Sequence, residues 1–352
     1  MHTSPPVFRQ SLGLSYEVLL GLSLAGSLFL PVLVTRGFPV LAATAEAQGA
    51  QPRLPRPDHI VIVFEENKDY TQIIGAASAP YINALASQGA VLTQFYAAHH
   101  PSQPNYLEFF AGDTLGVTTD ACPPTNQSCP PSAPPPAFTA PNLAASLLTN
   151  NLTFLGYAED LPSDALTCCA GQYARKHCPW MDFKFQDTNG TWVNLVDYSK
   201  NFRAFPQDAA GFANLPTVAL VIPNLIGDMH SLPTTAPSRT QAQQSIPEEV
   251  RNGDRWLKVH LDAYTQWAKT HNSLLVITWD ESSNQGECTP PCATTPPQNR
   301  ITTLLVGAMV QPNVKSSKPY THHSLLRTIL DMYGLTPFGA SQTASAITDV
   351  WK

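Results

Sequence analysis

The chain has 352 residues, a length that fits one large domain or two small ones. Apolar residues make up 43% of it, which excludes a disordered chain, whereas charged residues make up only 13%. The formal net charge is −6 and no long basic run occurs, so a nucleic-acid-binding protein with a cationic face is disfavoured.

The N-terminal segment carries the succession of features that is typical of a secretory signal. Arg9 precedes an uncharged apolar run over residues 18–34, and small residues follow as Ala-x-Ala sites at 43–45 and 45–47. The alternatives are an uncleaved membrane anchor, because a run of 17 residues lies near the minimum for a span, and a buried core helix. We therefore expect a secreted or extracytoplasmic protein, with an anchor through residues 18–34 as the open alternative.

From His59 onward, strand-like and helix-like segments alternate along the chain. The predicted strands cover residues 59–66, 152–157, 217–222, 273–279 and 301–306. The predicted helices cover residues 81–88, 143–149, 254–270 and 324–333, and a further helix could begin within residues 107–111. The stretches 120–137 and 284–299 look like loop insertions. Strands separated by helices favour an α/β fold whose central sheet is mostly parallel, with helices on both faces.

Polar side chains follow three of the predicted strands at the points where these strands end. They are Glu65, Glu66 and Asn67 after the first strand, Asn224, Asp228 and His230 after the third, and Asp280 and Glu281 after the fourth. Taken alone, the first group would fit a helix cap and the last group a solvated turn. Their shared position at strand ends, where α/β proteins place ligands, favours a site for one hard or borderline divalent cation.

A proline-rich stretch over residues 99–106 holds a serine between histidine and asparagine side chains. It reads His-His-Pro-Ser-Gln-Pro-Asn-Tyr, with Ser102 at its centre. A serine becomes an effective nucleophile only when a base or a metal lowers its pKa, and both kinds of group are expected nearby. An ordinary proline-rich turn is the alternative interpretation.

Seven cysteines lie between residues 122 and 292. In an exported protein we expect local disulfides, which would pair Cys122 with Cys129, Cys288 with Cys292, and Cys178 with one of Cys168 and Cys169. One thiol is then left over. The spacing lacks the repeated C-x-x-C and His pattern of zinc sites, so a zinc–thiolate centre is disfavoured.

Eight motifs occur in order along the chain: FEENKDYTQIIG, HPSQPNYLEFFAGD, YAEDLP, YARKHCPW, IPNLIGDMH, GDRWL, TWDES and HHSLLRTILDMYGL. In these motifs the sequence resembles a known family, the phosphoesterases that join secreted acid phosphatases and bacterial phospholipases C in the alkaline-phosphatase-like superfamily. The motifs span about residues 58–336. The resemblance implies a three-layer α/β/α, alkaline-phosphatase-like fold. It also implies that residues 58–352 form the phosphoesterase catalytic domain, after a signal or anchor over 1–47 and a linker over 48–57.

The resemblance further implies a role for each motif residue. The metal ligands would be Glu66, Asn67, Asp280 and Glu281. The catalytic groups would be Ser102, which forms a phosphoserine intermediate, and the histidines that grip the phosphate or protonate the leaving group, His177, His230 and His322. The substrate-binding groups would be His100, Asn105 and Asp228, the last of which would orient His230. Which member acts in the adjacent pairs His99/His100 and His322/His323 stays open. Cys178 stands where the family pattern has asparagine.

We therefore expect a secreted, metal-dependent acid phosphatase that hydrolyses phosphate monoesters, with phosphoinositide monophosphates among the candidate substrates. One divalent ion, Mg²⁺, Ca²⁺ or Mn²⁺, with iron also open, would be its cofactor. Because the motifs contain few cations, Arg175 and Lys176 among them, histidines would supply much of the positive charge, which predicts an acidic pH optimum.

Two other functions stay open at this point. One is a phospholipase C-type phosphodiesterase, and the other is an inactive, surface-anchored binding protein. The expected partner is a small phosphate ester and not a nucleic acid. Membrane contact would come only through an uncleaved N-terminal segment or through a lipid substrate.

Overall fold

The computed structural model describes residues 54–233, 242–283 and 299–352. The predicted signal or anchor, most of the predicted linker, and Cys288 and Cys292 lie outside these described residues, so the predicted domain boundaries stay a prediction. In the ranges that the structure does describe, no helix is both long and apolar enough to cross a membrane.

The described chain alternates strands and helices as predicted. The strands are β1 His59–Glu65, β2 Ala90–Tyr96, β3 Phe154–Ala158, β4 Cys169–Ala170, β5 Tyr173–Ala174, β6 Lys184–Gln186, β7 Trp192–Asn194, β8 Ser199–Asn201, β9 Val218–Ile222, β10 Ser273–Trp279, β11 Arg300–Ile301, β12 Thr303–Gly307 and β13 Val314–Thr321. The α-helices are α1 Tyr70–Ile73, α2 Pro80–Gln88, α3 Ser102–Ala111, α4 Leu143–Leu148, α5 Ala209–Phe212, α6 Ala242–Ala268 and α7 His322–Tyr333. Short 3₁₀ helices include Arg175–His177.

The main sheet has a parallel half and a mixed half. Strands β10, β1, β9, β3 and β8 lie side by side and run parallel. Strand β12 is antiparallel to both β10 and β2, and β13 pairs with β2 in parallel. The central strands are continuous apolar runs, such as residues 60–64 of β1, all of them buried, as expected for strands covered on both faces. The predicted α/β class with a mostly parallel sheet is confirmed.

Two strands of the mixed half, β2 and β13, were not predicted. Strand β13 is polar and contains Pro319, and its register against β2 shifts between Ser316 and Pro319. Proline cannot donate to a ladder, so it is confined to edge strands and bulges, and the strand loses the signals by which a sequence reveals it.

Helices α3 and α6 begin well before their predicted starts. Helix α3 starts at Ser102, although Pro101 and Pro104 suggested a turn there. Proline is tolerated in the first turn of a helix because the amide hydrogens of that turn have no helical partner. Helix α3 ends at Gly112, whose φ of 68° only a glycine adopts without cost. Helix α6 begins at Ala242 and not near residue 254. Its first turns are polar and show no apolar periodicity, so the apolar spacing revealed only the later part of the helix.

The disulfides connect the insertion over residues 120–137 to a distant segment. They join Cys122 to Cys168 and Cys129 to Cys169, with Cα–Cα distances of 6.0 and 5.6 Å. The predicted pairing of Cys122 with Cys129, and of Cys168 or Cys169 with Cys178, is therefore wrong, and Cys178 is a buried free thiol. Neighbouring residues of an extended segment point in opposite directions, so adjacent cysteines reach different partners. Such bonds form in oxidising, extracytoplasmic compartments.

A buried arginine fastens the same region from inside. Arg175 is fully buried, and its Nη2 atom donates to Asp182 Oδ1 at 2.6 Å. Its Nη1 atom donates to the carbonyl oxygens of Pro134 and Leu166 at 2.9 and 2.8 Å. Arg175 is therefore a structural residue, because both terminal nitrogens of its guanidinium bind protein groups, among them the Pro134 carbonyl oxygen of the insertion.

The variant Asp182→Ala should lower the free energy of unfolding by about 3–5 kcal/mol, because it leaves the Arg175 guanidinium buried without its counter-charge. The matched control is Lys318→Ala, which removes an exposed ion pair whose nitrogen–oxygen distance is 3.7 Å and should change stability by about 0–1 kcal/mol. Denaturant unfolding measures both. Equal losses in the two variants would contradict the structural role of Arg175.

Candidate active site

The parallel pairing of β1 with β10 brings the first and the last predicted metal ligands together. Glu65 lies opposite Trp279 in the register, so the residues that follow each strand meet at the same sheet edge. There the backbone amide of Asn67 donates to Asp280 Oδ1 at 3.1 Å, across 213 positions of sequence. The structure thus places Glu66, Asn67, Asp280 and Glu281 in one cluster, which is the juxtaposition that the sequence predicted.

Ser102 lies in this carboxylate cluster. It is buried at the first residue of α3, and its Oγ donates to Glu66 Oε2 at 3.1 Å. The same carboxylate accepts from Asn67 Nδ2 at 2.5 Å and from Tyr106 Oη at 2.6 Å. Glu66 is therefore the acceptor on which the candidate nucleophile and two further donors converge.

Tyr106 is a site residue that the sequence reasoning missed. It lies four residues after Ser102, on the same face of α3, and its ring stacks on His177 with 5.2 Å between centroids. Because the helix was expected to begin only near residue 107, this spacing carried no meaning in the sequence. Once α3 is known to start at Ser102, the spacing is the signal that would have revealed it.

Asp228 and the histidines flank Glu66 on one side. His177 is buried, with Nε2 lying 3.1 Å from Glu66 Oε1 and Nδ1 lying 3.4 Å from Asp228 Oδ2. Asp228 Oδ1 accepts from the backbone amide of His230 at 2.8 Å. The carboxylate expected to orient the His230 ring thus holds the His230 backbone and faces the ring of His177. The two imidazoles lie 6.1 Å apart between centroids.

Asn105 and His100 lie on the side of Glu281. Asn105 Oδ1 accepts from the amide of His99 at 2.9 Å, and its Nδ2 lies 3.4 Å from Glu281 Oε2. His100 Nδ1 lies 2.8 Å from the same Glu281 oxygen. Of the adjacent pair, whose acting member the sequence left open, His100 is the one that contacts Glu281.

The pair His322/His323 forms the start of helix α7. His322 is buried between Phe64 and Phe95, and its Nε2 lies 2.9 Å from the carbonyl oxygen of Trp279. This contact holds the end of β10, one residue before Asp280. The phosphate-gripping role predicted for His322 stays a prediction, and the described contacts favour a positioning role.

Glu108 contacts His99 and His323, the other members of the two adjacent histidine pairs. It is mostly buried on α3, and its carboxylate contacts His99 Nε2 at 3.0 Å and also His323 Nε2. Burial alone would raise the pKa of Glu108, but the two imidazoles hold it below its usual range. This contact ties the helix that carries Ser102 to α7.

Glu65, which also ends β1, faces away from the cluster. Successive residues of a strand point to opposite faces, so Glu65 turns toward α6, where a side chain at Gly253 would meet its Oε2 at 2.9 Å. Neither of its carboxylate oxygens has a hydrogen-bond partner. Burial, together with the charges of Asp228 and Asp254, raises its pKa well above the usual value, which favours the protonated form of Glu65.

The carboxyls of the cluster need compensating positive charge. Burial raises the pKa of Glu66 and Asp280 well above their usual values, and each also feels a neighbouring carboxylate, Asp280 for Glu66 and Glu281 for Asp280. Burial likewise raises the pKa of Glu281 to about 8. Asp280 Oδ2 is buried and has no hydrogen-bond partner. A set of three carboxylates and one amide fits a hard divalent cation.

The side chains as they stand do not form a finished ligand shell. Among the described residues, no group of three or more His, Cys, Asp or Glu side chains is spaced to hold a metal ion. The reason lies at Glu66, whose oxygens are taken by Asn67, Ser102 and Tyr106. A cation would have to replace some of these hydrogen bonds, so the donor chemistry fits it while the present spacing is that of a hydrogen-bonded cluster.

The histidines are less basic than the sequence suggested. Burial lowers the pKa of His177 well below 6.5, lowers that of His100, and lowers that of His322 to about 4. A histidine with a lowered pKa gains its charge only at more acidic pH. His100, His177 and His322 therefore gain positive charge on acidification.

The fold of the chain is similar to that of several solved structures. It resembles a protein of the alkaline phosphatase superfamily from Vibrio parahaemolyticus, with a TM-score of 0.51, 12% identity, and 84% of this chain and 71% of that chain covered. The lipoteichoic acid synthase LtaP of Listeria monocytogenes is similar in the same way, with a TM-score of 0.52, 11% identity, and coverage of 84% and 77%. These likenesses define an alkaline-phosphatase-like fold.

Sequence comparison narrows this class. The profile of the Phosphoesterase family matches residues 76–336, and the chain belongs to that family. It is 40% identical over 322 residues to the phosphatidylinositol-3-phosphatase of Mycobacterium tuberculosis, covering 89% of this chain and 92% of that protein. It is 27% identical to an acid phosphatase of Aspergillus fumigatus, covering 82% of this chain but only 57% of the fungal protein. The predicted family and the predicted hydrolase of phosphoric esters are confirmed.

The variant Glu108→Gln should lower the free energy of unfolding by about 1.5–3 kcal/mol, the range for a hydrogen bond to a charged group. The matched control is Glu248→Gln, an exposed residue of α6, which should change stability by less than about 0.5 kcal/mol. Denaturant unfolding at one pH compares the two. If Glu108→Gln proved as harmless as the control, the carboxylate would not hold α3 to α7.

Proposed function

We propose that this protein is a metal-dependent phosphomonoesterase that uses Ser102 as its nucleophile. The observation that carries the proposal is the hydrogen bond of 3.1 Å from Ser102 Oγ to Glu66 Oε2, inside a cluster where Asp280 and Glu281 also converge. A buried serine whose hydroxyl faces a carboxylate has a base at hand. The family membership supplies the reaction class, which is phosphoester hydrolysis.

Phosphoinositide monophosphates are the substrate class that we favour. The support is the similarity to the mycobacterial phosphatidylinositol-3-phosphatase, which extends over nearly the full length of both chains. The fungal acid phosphatases support a wider range of small phosphate monoesters. A phosphodiesterase acting on phospholipids is the remaining alternative, and a comparison of monoester and diester substrates decides between them.

The residues around Ser102 can divide the chemistry between them. Glu66 takes the proton of the Ser102 hydroxyl as Oγ attacks phosphorus, and the bond to the leaving alcohol breaks. An imidazolium at the cluster, His177 or His230, gives the departing oxygen its proton. In the second step the same imidazole, now neutral, takes a proton from water as the water oxygen attacks phosphorus. The bond from phosphorus to Ser102 Oγ breaks, Glu66 returns its proton to Oγ, and inorganic phosphate leaves.

The remaining contacts position these groups. Tyr106 donates to Glu66 and stacks on His177, so it orients the base and the acid together. Asn105 holds the backbone of residues 98 and 99 with its carboxamide oxygen, which sets the approach of the chain to Ser102.

A divalent cation held by Glu66, Asn67, Asp280 and Glu281 would supply positive charge for the phosphoryl oxygens and lower the pKa of the Ser102 hydroxyl. Its identity among Mg²⁺, Ca²⁺ and Mn²⁺ is part of the proposal to be tested.

The place of action is outside the cytoplasm, in line with the two disulfides. We propose export through the N-terminal signal, and retention through residues 18–34 is the competing arrangement. The two differ in the mass of the exported chain.

The variant Ser102→Ala should fold normally and lose about 10³-fold or more in kcat on p-nitrophenyl phosphate, the scale seen when an essential catalytic group is removed. The control Ser345→Ala changes an exposed serine far along the chain and should keep full activity. In the wild-type enzyme, acid quenching during turnover should trap phosphate on the peptide that contains Ser102. Wild-type turnover by Ser102→Ala would refute the nucleophile assignment.

Acidification should weaken metal binding but raise the rate at saturating metal. The pKa of Glu281 near 8 means that the metal-free site holds protons below pH 8, and a cation must displace them. Apparent affinity for Mg²⁺, Ca²⁺ or Mn²⁺ should therefore fall as pH falls from 8 to 6, by up to about tenfold per pH unit for each proton displaced. At saturating metal, the rate should instead rise on acidification, because the histidines with lowered pKa gain their charge there.

The measurement is a substrate panel at several pH values, with metal removed by a chelator and then restored. Activity that survives complete chelation would refute the metal dependence. A rate profile that peaks well above pH 8 would refute the acidic optimum.

A further inference from the structure

Lys176 lies beside the carboxylate cluster in a position that the sequence motifs left without a function. It occupies the middle of the 3₁₀ helix Arg175–His177, between the fully buried structural arginine and the site histidine. Its side chain is 19% exposed, and Nζ donates to Asp120 Oδ2 at 2.6 Å. The next residue, His177, lies 3.1 Å from Glu66. The ammonium is thus held at the border of the site.

Asp120 is itself held in place by helix α3, which begins at Ser102. Its Oδ1 accepts from the backbone amide of Gln103, the residue after Ser102, at 3.1 Å. With its amide turned to donate, Gln103 also bonds the carbonyl oxygens of Thr119 and Ala121 at 3.2 and 2.8 Å. The disulfide of Cys122 begins two residues further on. Asp120, which binds Lys176, is therefore fixed by its hydrogen bond to Gln103 and by the disulfide two residues further along the chain.

The Lys176 ammonium lies among carboxylates. Burial would lower its pKa, but the charges of Glu66 and Asp120 raise it above the usual value. An ammonium has three N–H donors, and in the described part of the chain Asp120 takes one of them.

A phosphate monoester carries up to two negative charges, whereas a phosphate diester carries one. A lysine stays cationic across the whole working range of pH, unlike an imidazole. A fixed cation at the edge of the site therefore favours the doubly charged ester, because the attraction grows with the charge of the phosphoryl group.

We propose that Lys176 binds a non-bridging oxygen of the phosphoryl group and thereby sets the preference for monoesters over diesters. Asp120 is its positioning residue. The inference deepens the proposed function, on which it rests, by naming the group that recognises the charge of the substrate.

The test compares Lys176→Met with Lys176→Arg, and with Lys200→Met, which removes an exposed lysine of β8 as a matched control. Calorimetry measures the binding of inorganic phosphate to each protein. Steady-state kinetics measure kcat/KM for p-nitrophenyl phosphate and for p-nitrophenyl phosphorylcholine, a diester. Thermal unfolding verifies that each variant is folded. If Lys176→Met does not fold, Lys176→Gln takes its place, because a carboxamide can still bond Asp120.

Lys176→Met should weaken phosphate binding and lower kcat/KM for the monoester by about 10- to 100-fold, the value of a charge-assisted hydrogen bond. The loss for the diester should be several times smaller. Lys176→Arg should recover most of the affinity because it keeps the charge, and Lys200→Met should match wild type.

Each contrary outcome has its own meaning. If the wild-type protein hydrolyses monoesters but Lys176→Met binds phosphate as tightly as Lys200→Met, the inference is overturned and the proposed function stands. If phosphate binding depends on Lys176 but no ester is hydrolysed, the proposed function is overturned and the phosphate contact stands. Equal losses on monoester and diester would refute the role of Lys176 in selecting between them.

Discussion

The parallel pairing of β1 with β10 is the constraint on which the rest of the site depends. Two buried strands that end side by side bring Glu66 and Asp280 to one point in a water-poor environment. Like charges cannot share such a place without hydrogen-bond donors and cations. The first two turns of α3 meet this need by bringing the hydroxyls of Ser102 and Tyr106 to Glu66. The proposed nucleophile thus lies where the carboxylates need a donor.

The part of this arrangement that could be predicted is the part that the sheet dictates. Apolar runs followed by carboxylates imply parallel strands with ligands at their ends. The sequence therefore predicted that Glu66 and Asp280 lie close together. Tyr106 and Glu108 escaped because their meaning depends on a helix that starts at Ser102, among prolines that suggested a turn. The disulfide pairing escaped because two adjacent cysteines choose partners by direction, which sequence spacing does not reveal.

The insertion over residues 120–137 shows how a loop far from the motifs can shape a site. Its disulfides and the hydrogen bond from Arg175 to the Pro134 carbonyl oxygen hold it against the 3₁₀ helix that carries Lys176. Arg175 and Lys176 are neighbours in sequence with opposite fates. One points into the protein and is fully buried, and the other points to Asp120 at the border of the cluster. Successive residues of so short a helix face different surroundings, so charge alone did not tell the structural cation from the functional one.

The burial of the carboxylate cluster also determines which positively charged groups are available to bind the substrate. The same low polarity that raises the pKa of Glu66 lowers that of His177, so a site made of carboxylates and imidazoles alone becomes less charged, not more, near neutral pH. A phosphate ester needs the reverse, since its charge must be matched throughout binding and reaction. Under the proposed function, fixed positive charge would come from groups that do not titrate in this range, namely Lys176 and the proposed divalent ion. The imidazoles are then free to hold or release a proton, and their low pKa suits them to do so in acid.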